Sequence, residues 1–143
     1  MSEENAEVAR RFFDAINRQD YEAALAIGHS EIDIQDHPGV DAASWHHGPE
    51  GAWEWGLKLT QAFQDFQLHA DEYIALDEKS IIVVGTVSGK GRISGVPVDA
   101  PFAAIVTVED GLGRRVAIYE KKAIALRAAA DLLDKDEAAG RSE

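Results

Sequence analysis

The sequence predicts an α+β fold in which a curved antiparallel sheet forms a cone-like half barrel. Three N-terminal helices pack on its concave face, and a short C-terminal helix closes the chain. Helical periodicity fills roughly the first sixty residues, and alternating, glycine-punctuated strand patterns fill residues 66–123. Because helices come first and strands afterwards, βαβ crossovers are excluded and antiparallel pairing is favoured. Such a sheet encloses a pocket, and the pocket lining becomes the functional question.

Two helices are predicted at the N-terminal end of the chain. Across about residues 3–18, apolar side chains recur at four-residue spacing, which is typical of an amphipathic helix. The residues that define this spacing are Val8, Phe12 and Ile16. Asp20 has the acceptor side chain of an N-cap, so a second and shorter helix is predicted to begin after it and to end at Gly28.

A short strand, a loop and a third helix are predicted next. Residues 31–36 alternate between polar and apolar side chains, which indicates a strand, and His37-Pro38-Gly39 breaks it. Residues 40–47 are interpreted as a loop. Gly48-Pro49 then opens a helix, because proline suits a first helical turn. The broad apolar face of this helix predicts packing against the sheet.

Four longer strands are predicted in the second half of the chain. In the first of them, apolar side chains occupy even-numbered positions from Phe66 to Leu76. Glu72 interrupts this set, and we interpret it as the site of a β-bulge that turns the carboxylate outward. Asp110-Gly111 is a hairpin signal before the last strand. The other strands are predicted over residues 81–93, 98–108 and 115–122.

Composition limits the classes of function. The chain has 143 residues, which suits one domain, and 45% of them are hydrophobic. A formal net charge of −12 argues against nucleic acid and anionic membranes as partners, because phosphate groups are bound by basic faces. No stretch approaches the roughly 20 apolar residues of a membrane span, the first residues are acidic and polar, and cysteine is absent. We therefore expect a cytoplasmic protein.

Three local motifs give the chain a family resemblance. They are His46-His47-Gly48-Pro49-Glu50-Gly51, Phe63-Gln64-Asp65-Phe66, and Glu109-Asp110-Gly111 followed by Tyr119-Glu120-Lys121-Lys122-Ala123-Ile124-Ala125-Leu126. With the order of elements, they resemble the SnoaL-like branch of the nuclear-transport-factor-2-like superfamily. The resemblance implies one domain over residues 1–133, with a polar tail over 134–143. It also implies a homodimer, for which the outer sheet face is the predicted surface, with Thr86, Ile105, Thr107 and Ala117. This fold hosts isomerases, cyclases, dehydratases and non-catalytic modules.

This superfamily includes ketosteroid isomerase, and the resemblance to that enzyme implies a catalytic acid in this chain but neither of the two hydrogen-bond donors of the enzyme's oxyanion hole. The segment Ile34-Gln35-Asp36-His37-Pro38 is similar to the one that carries the proton-moving Asp of that enzyme. The tyrosine of its oxyanion hole falls near Phe12, and the protonated acid falls on Ala103–Ala104. SnoaL-like chains often carry an Asp at the position of Lys121. Steroid isomerisation by that mechanism is therefore not expected here.

Three polar residues are candidates for acid–base chemistry. Asp36 and His37 end a predicted strand, where they could share proton abstraction and return, because partial dehydration makes a carboxylate a better base. Alternatively, they only form the turn before Pro38. His46 precedes a helix and could act as a general acid, or it is a solvent-facing loop residue. Adjacent His46 and His47 point different ways, so no metal and no cofactor is predicted.

The substrate-binding wall is predicted from the large apolar and aromatic side chains of the chain. Three tryptophans fall within eleven residues, which would suit a flat hydrophobic ligand, and the alternative is that they are core. Tyr119 could direct its hydroxyl into the pocket or pack on the first helix. The predicted set is Phe12, Trp45, Trp53, Trp55, Phe63, Phe102 and Tyr119.

Two functions of different classes remain open from the sequence. The first is cofactor-independent proton transfer, of isomerase, cyclase or lyase type, on a small hydrophobic carbonyl or polyketide-like substrate, with Asp36 as base and His37 or His46 as partner. The second is non-catalytic binding of a hydrophobic small molecule, or dimerisation alone. The apolar residues at Phe12 and Ala104 favour the second function, and Asp36 followed by His37 favours the first.

Overall fold

The computed structural model describes residues 2–37 and 44–141. The elements follow the predicted order of helices and then strands, which confirms the α+β class. The helices are α1 (Ser2–Asn17), α2 (Tyr21–Ile27), α3 (Gly48–Ala62) and α4 (Lys122–Arg141). The strands are β1 (Gly28–His37), β2 (Ser44–His47), β3 (Phe63–Ala75), β4 (Ser80–Gly91), β5 (Pro97–Glu109) and β6 (Leu112–Tyr119).

All six strands form one sheet in the order β2-β1-β6-β5-β4-β3. Four of the five neighbouring pairs are antiparallel, as the order of elements predicts. The pair of β1 with β6 is parallel, so the expectation of a purely antiparallel sheet is wrong for this pair. The order of the elements excludes local crossovers, but it does not determine whether the first strand meets the last.

Local signals fix the helix and turn boundaries. Asp20 caps α2 by accepting a hydrogen bond of 3.1 Å from the Ala23 amide, and Gly28 follows its last turn, as predicted. Asp110 and Gly111 both have positive φ, of 56° and 74°, which confirms the hairpin between β5 and β6.

The predicted loop over residues 40–47 is wrong for its last four residues. Ser44–His47 form β2, which pairs with the end of β1, and Asp36 lies opposite Ser44. Residues 38–43, with the predicted break at Pro38-Gly39, lie outside the described residues. A four-residue edge strand has too little alternation to be predicted from sequence, so β2 is recognisable only from its hydrogen bonds to β1.

A bulge divides β3 into two halves that face opposite ways. The register with β4 shifts between Ala70 and Glu72, which confirms the predicted bulge. Glu72 is exposed, and its Oε1 lies 3.0 Å from Nζ of Lys122. Ile74, however, packs on the face opposite to Leu68, so one shared face for all even-numbered residues is wrong beyond the bulge.

The sheet carries an apolar cluster on each face. On the inner face, α1, α2 and α3 pack over residues such as Ile34, Val83 and Val106. On the outer face, α4 lies over Ile105 and Ala117. These two residues are only 3% and 4% exposed, so helix α4 already covers them and they are not the open dimer surface that was predicted.

Helix α4 is longer than predicted. It has 20 residues and runs to Arg141, so residues 134–141 of the predicted tail are helical. Over the part of the chain that the structure describes, none of the helices has the length and apolar character needed to cross a membrane.

Candidate functional site

An internal cavity of about 240 Å³ lies between α3 and the inner face of the sheet. Its walls are mainly apolar and include Trp55, Leu59, Phe63, Phe66 and Phe102. Asp36 is the only charged residue among the described residues that line it. The cavity therefore combines a hydrophobic interior with one carboxylate.

Strand alternation brings Asp36 to this position. Ile32 and Ile34, at two-residue spacing before it, are fully buried on the inner face. In the parallel ladder with β6, Asp36 lies beside Ile118, which also lines the cavity. The acid therefore continues the inner face of β1 beyond the apolar core, at the edge of the cavity.

A second and larger pocket begins on the other side of Asp36. It has a volume of about 470 Å³ and shares Asp36, Val87, Phe102 and Ile118 with the internal cavity. Its own walls are more polar and include Tyr119, Glu120 and Lys121. Asp36 thus stands at the boundary between an apolar chamber and an outer pocket with polar walls.

Tyr119 belongs to the outer pocket and not to the internal cavity. Its side chain is partly buried against the cluster beneath α4, on the outer side of the sheet. Burial raises the pKa of the Tyr119 phenol above its ordinary value of 10.0, although Arg115 acts in the opposite direction. The phenol therefore stays protonated at neutral pH and can donate a hydrogen bond.

His46 lies close enough to Asp36 for the two side chains to interact electrostatically, but it lines neither of the two pockets. It is 7% exposed, on β2 opposite Ile34, and it is not among the residues that line either pocket. Burial lowers the pKa of His46 below 6.5, and Lys58 acts in the same direction, whereas Glu54 and Asp36 raise it. A neutral imidazole is therefore held within electrostatic reach of the Asp36 carboxylate.

Gly51 permits this burial of His46. A Cβ at Gly51 would lie 2.8 Å from the carbonyl carbon of His46, so α3 approaches β2 more closely than any larger residue allows. The neighbouring His47 faces outward and bonds Asp33. His37 is the last residue of β1, and the predicted role of its side chain lies outside what the structure describes.

The predicted aromatic residues divide into three groups. Trp55, Phe63 and Phe102 line the internal cavity. Phe12 is core, and its ring is stacked on Trp55 with centroids 6.5 Å apart. The remaining two are more exposed and border neither pocket at Asp36: Trp45 is 62% exposed on β2, and Trp53 is 38% exposed and packs edge-on against Tyr21.

Sequence reasoning missed parts of both pockets. Leu59 lines the cavity, and Glu120 and Lys121 line the outer pocket; Phe66, which belongs to the aromatic bulk considered from sequence but not to the predicted site, also lines the cavity. Leu59 is four residues after Trp55 on α3, and this helical spacing was a usable signal. Phe66 reaches the cavity because β3 is irregular at its start, and Glu120 and Lys121 follow the end of β6.

One group of side chains has the donors for a metal ion. His29, Glu109 and Asp110 bring three possible ligand atoms within 4.8 Å of one another. This group lies at the start of β1 and at the β5–β6 turn, and none of its members lines the cavity or the outer pocket. Nδ1 of His29 already accepts a hydrogen bond from the Glu31 amide, which occupies one of its two ring nitrogens.

The described residues form an α+β fold with a mainly apolar, partly open cavity between α3 and the sheet. Residues 9–116 match the model of the SnoaL-like domain. The chain therefore belongs to the SnoaL-like domain family. No curated protein matches it.

Solved structures with the same fold have low sequence identity to this chain. An NTF2-like protein from Burkholderia xenovorans LB400 is 20% identical, with a TM-score of 0.72 over 90% of this chain and 97% of that one. TerC, crystallised with polyporic acid, is 18% identical, with a TM-score of 0.72 over 90% and 98%. A protein from Catenulispora acidiphila DSM 44928 with a ketosteroid isomerase-like fold, in complex with trimethylamine, is 11% identical, with a TM-score of 0.72 over 80% and 85%.

Proposed function

We propose that this protein binds a small hydrophobic carbonyl compound in the internal cavity and that Asp36 moves a proton on it without a cofactor. The observation that carries this proposal is the position of Asp36, which among the described residues is the only charged one that lines this mainly apolar cavity. Similar folds that hold polyporic acid and trimethylamine support the binding of small molecules by this architecture.

The proposed chemistry is proton abstraction next to a carbonyl group. The Asp36 carboxylate takes a proton from the carbon beside the carbonyl, and the C–H electron pair moves into the carbonyl to give an enolate. The protonated acid then returns its proton to another carbon, or the enolate attacks a second carbonyl of the same molecule and the resulting alkoxide takes the proton back from Asp36. Isomerisation follows from the first course and cyclisation from the second.

The enolate oxygen needs a hydrogen-bond donor. Phe12 and Ala104 offer no polar atom, and both are buried in the core. We assign the donor role to Tyr119, which lines the outer pocket together with Asp36 and whose phenol is protonated. His46 acts in this scheme as a positioning residue, since it interacts electrostatically with Asp36 but lines neither pocket.

Deuterium exchange tests the proposal without knowledge of the natural substrate. The protein is incubated with 2-tetralone in D2O, and exchange of the protons beside the carbonyl is followed by NMR. We expect the wild-type protein to accelerate exchange and Asp36→Asn to reduce the acceleration by about 100-fold or more, which is typical for loss of a general base. Asp99→Asn, which removes an exposed acid that lines neither pocket, is the matched control.

The result that would overturn catalysis is equal exchange in the wild-type protein and in Asp36→Asn. Retained binding of the ketone by Asp36→Asn would show that the variant keeps its cavity. Tyr119→Phe should then lower exchange without abolishing it, because the donor stabilises the enolate and does not take the proton.

A non-catalytic pocket protein is the second candidate. It is favoured by the absence of polar side chains at Phe12 and Ala104, where ketosteroid isomerase has both enolate donors. Native mass spectrometry of the purified protein would reveal a co-purified hydrophobic ligand. Reproducible capture of a ligand, together with no Asp36-dependent exchange, would identify this function.

A homodimer and a cytoplasmic location also belong to this proposal. Both rest on the expectations from sequence and family, and a dimer must use a surface other than Ile105 and Ala117, which α4 covers. Light scattering after size exclusion would give the mass of the particle in solution, and a monomer at all micromolar concentrations would contradict the dimer.

A further inference from the structure

We propose that Phe63 and Phe66 form a size-selecting end wall in the cavity, which limits the part of the ligand beyond Asp36 to one or two fused rings. This inference rests on the proposed function, because it concerns the substrate of the same site. It makes two side chains at the start of β3 the specificity-determining residues.

The two rings act as one surface. Their centroids are 5.7 Å apart and their planes are inclined by 34°, and both residues line the cavity. Leu59, on the last turns of α3, lines the cavity beside them. Contact between aromatic rings is favourable beyond their burial, so a longer ligand that separates the two rings loses this stabilisation.

An irregularity in β3 is what places both rings on one face. Residues three apart in a regular strand point to opposite faces. Here the register with β4 shifts between Gln64 and Gln67, and Asp65 has φ 56°, so one extra residue is accommodated. Phe66 thereby joins Phe63 on the inner face instead of turning to solvent.

Gly89 on β4 lies against this irregularity. A Cβ at Gly89 would lie 3.4 Å from the Phe66 Cα and 3.4 Å from the Gln64 carbonyl oxygen. Gly89 also lines the cavity, where it adds no side chain to fill it. At this end of the cavity, the lining therefore includes the backbone of Gly89 as well as the rings of Phe63 and Phe66.

The volume sets the size limit. A cavity of about 150 Å³ lined by aliphatic and aromatic side chains holds one benzene ring, and this cavity measures about 240 Å³. It therefore accommodates two fused rings but not three in line. Larger substituents must extend from Asp36 toward the outer pocket, where Glu120 and Lys121 offer polar contacts. The substrate class is a compact one- or two-ring ketone with any polar group at the outer end.

Calorimetric titration with two ketones tests this wall. The first is 2-tetralone, and the second is its linear three-ring homologue with the carbonyl on a terminal ring. We expect the wild-type protein to bind the two-ring ketone at least about tenfold more tightly, which is within the range of discrimination by apolar pockets. Phe66→Ala should remove or reverse this preference, and Phe66→Leu should give an intermediate result if the alanine variant is poorly folded.

Tyr73→Ala is the matched control, because Tyr73 is an aromatic residue of the same strand that does not line the cavity. It should keep the wild-type preference. If both ketones bind but Phe66→Ala and Phe63→Ala leave the ratio unchanged, the wall is refuted while the proposed function stands. If the ratio changes but Asp36→Asn leaves exchange unchanged, the wall is supported and catalysis is refuted. Binding of neither ketone would refute both.

Discussion

Asn17 and Leu68 exchange two hydrogen bonds across the boundary between α1 and the sheet. The Asn17 side-chain amide donates to the Leu68 carbonyl at 2.9 Å, and the Leu68 amide donates to Asn17 Oδ1 at 2.7 Å. The Asn17 side chain thus satisfies one donor and one acceptor of the β3 backbone, as the backbone of a neighbouring strand would. Since Leu68 lines the cavity, this contact fixes the first helix relative to the cavity floor.

Replacing Asn17 should destabilise the fold. Asn17→Ala leaves both backbone groups of a buried residue without their partners, so we expect a loss of about 1–3 kcal/mol in the free energy of unfolding. Urea denaturation followed by circular dichroism measures it. Gln67→Ala removes a single bond of 3.2 Å to the Asn17 carbonyl and should cost less. An equal loss in the two variants would contradict the paired role of Asn17.

Gly51→Ala should destabilise the contact between α3 and β2. Alanine would gain up to about 1 kcal/mol of helix propensity over glycine. Its Cβ would, however, lie 2.8 Å from His46 backbone, which cannot move aside as a side chain can, and overpacking of this kind costs about 1–3 kcal/mol. We therefore expect a net loss of stability and a changed His46 titration by NMR. Gly113→Ala, with no atom nearer than 3.9 Å, is the control, and equal effects would refute the argument.

A charge at Ala125 should detach α4 from the sheet. Ala125 is fully buried on the side of α4 that packs on the sheet, whereas the next residue, Leu126, is 41% exposed. We expect Ala125→Asp to lower the free energy of unfolding by at least about 2 kcal/mol, because the carboxylate has no partner there. It should also increase the fluorescence of a dye that binds exposed apolar surface. Leu126→Asp should do neither, and similar behaviour of the two variants would show that α4 is not docked as described.

The ion pair of His47 with Asp33 should make stability depend on pH. His47 Nδ1 lies 2.6 Å from Asp33 Oδ1. The hydrogen bond with Asp33 raises the pKa of His47 above 6.5, against a smaller opposing effect of burial. Burial raises the pKa of Asp33, but hydrogen bonds from His47 and Arg114 outweigh it, and the pKa falls below 3.8.

These two directions define the window in which the pair stabilises the fold. The contribution of His47 is complete below its ordinary pKa and is lost as the pH rises through the raised value, and that of Asp33 is lost as the pH falls through its lowered value. His47→Ala should therefore lower Tm slightly at about pH 5.5 and leave it nearly unchanged at about pH 9. His69→Ala, which removes an exposed histidine outside the ion pairs of the described residues, should change Tm at neither pH. A pH-independent effect of His47→Ala would refute the pair.

The parts of the fold that were predictable depend on local chemistry. Asp20 and Gly28 bound α2 through their own hydrogen bonds, and the Asp110-Gly111 turn needs two positive φ angles that these residue types adopt readily. Glu72 marked a bulge because a lone carboxylate among apolar positions has to leave the core. In each case the deciding interaction lies within a few residues of the signal.

The parts that were not predictable depend on distant partners. Nothing in residues 44–47 indicates a strand until β1 is alongside, and nothing in β1 indicates that its neighbour is β6. The length of α4 was underestimated because its last third is polar, whereas its docking is decided by small residues such as Ala125 and Ala129 near its start.

The candidate site was partly accessible from sequence. Asp36 was identified through resemblance, and strand alternation with Ile34 places it on the inner face. Trp53 and Trp55 could not both face one cavity, because residues two apart on a helix point in nearly opposite directions. The structure resolves this in favour of Trp55.

The parallel pairing of β1 with β6 has a consequence for folding during synthesis. The strand that carries Asp36 emerges early from the ribosome, but its ladder partner emerges only after every other strand of the sheet. Until β6 is synthesised, Asp36 lacks the neighbouring strand that positions it. Pairing of β1 with β6 closes a long loop of chain, and contacts between residues so far apart in sequence form slowly. A nascent chain halted before residue 112 would carry every described residue that lines the cavity except Ile118, but it would lack the strand that lies beside Asp36.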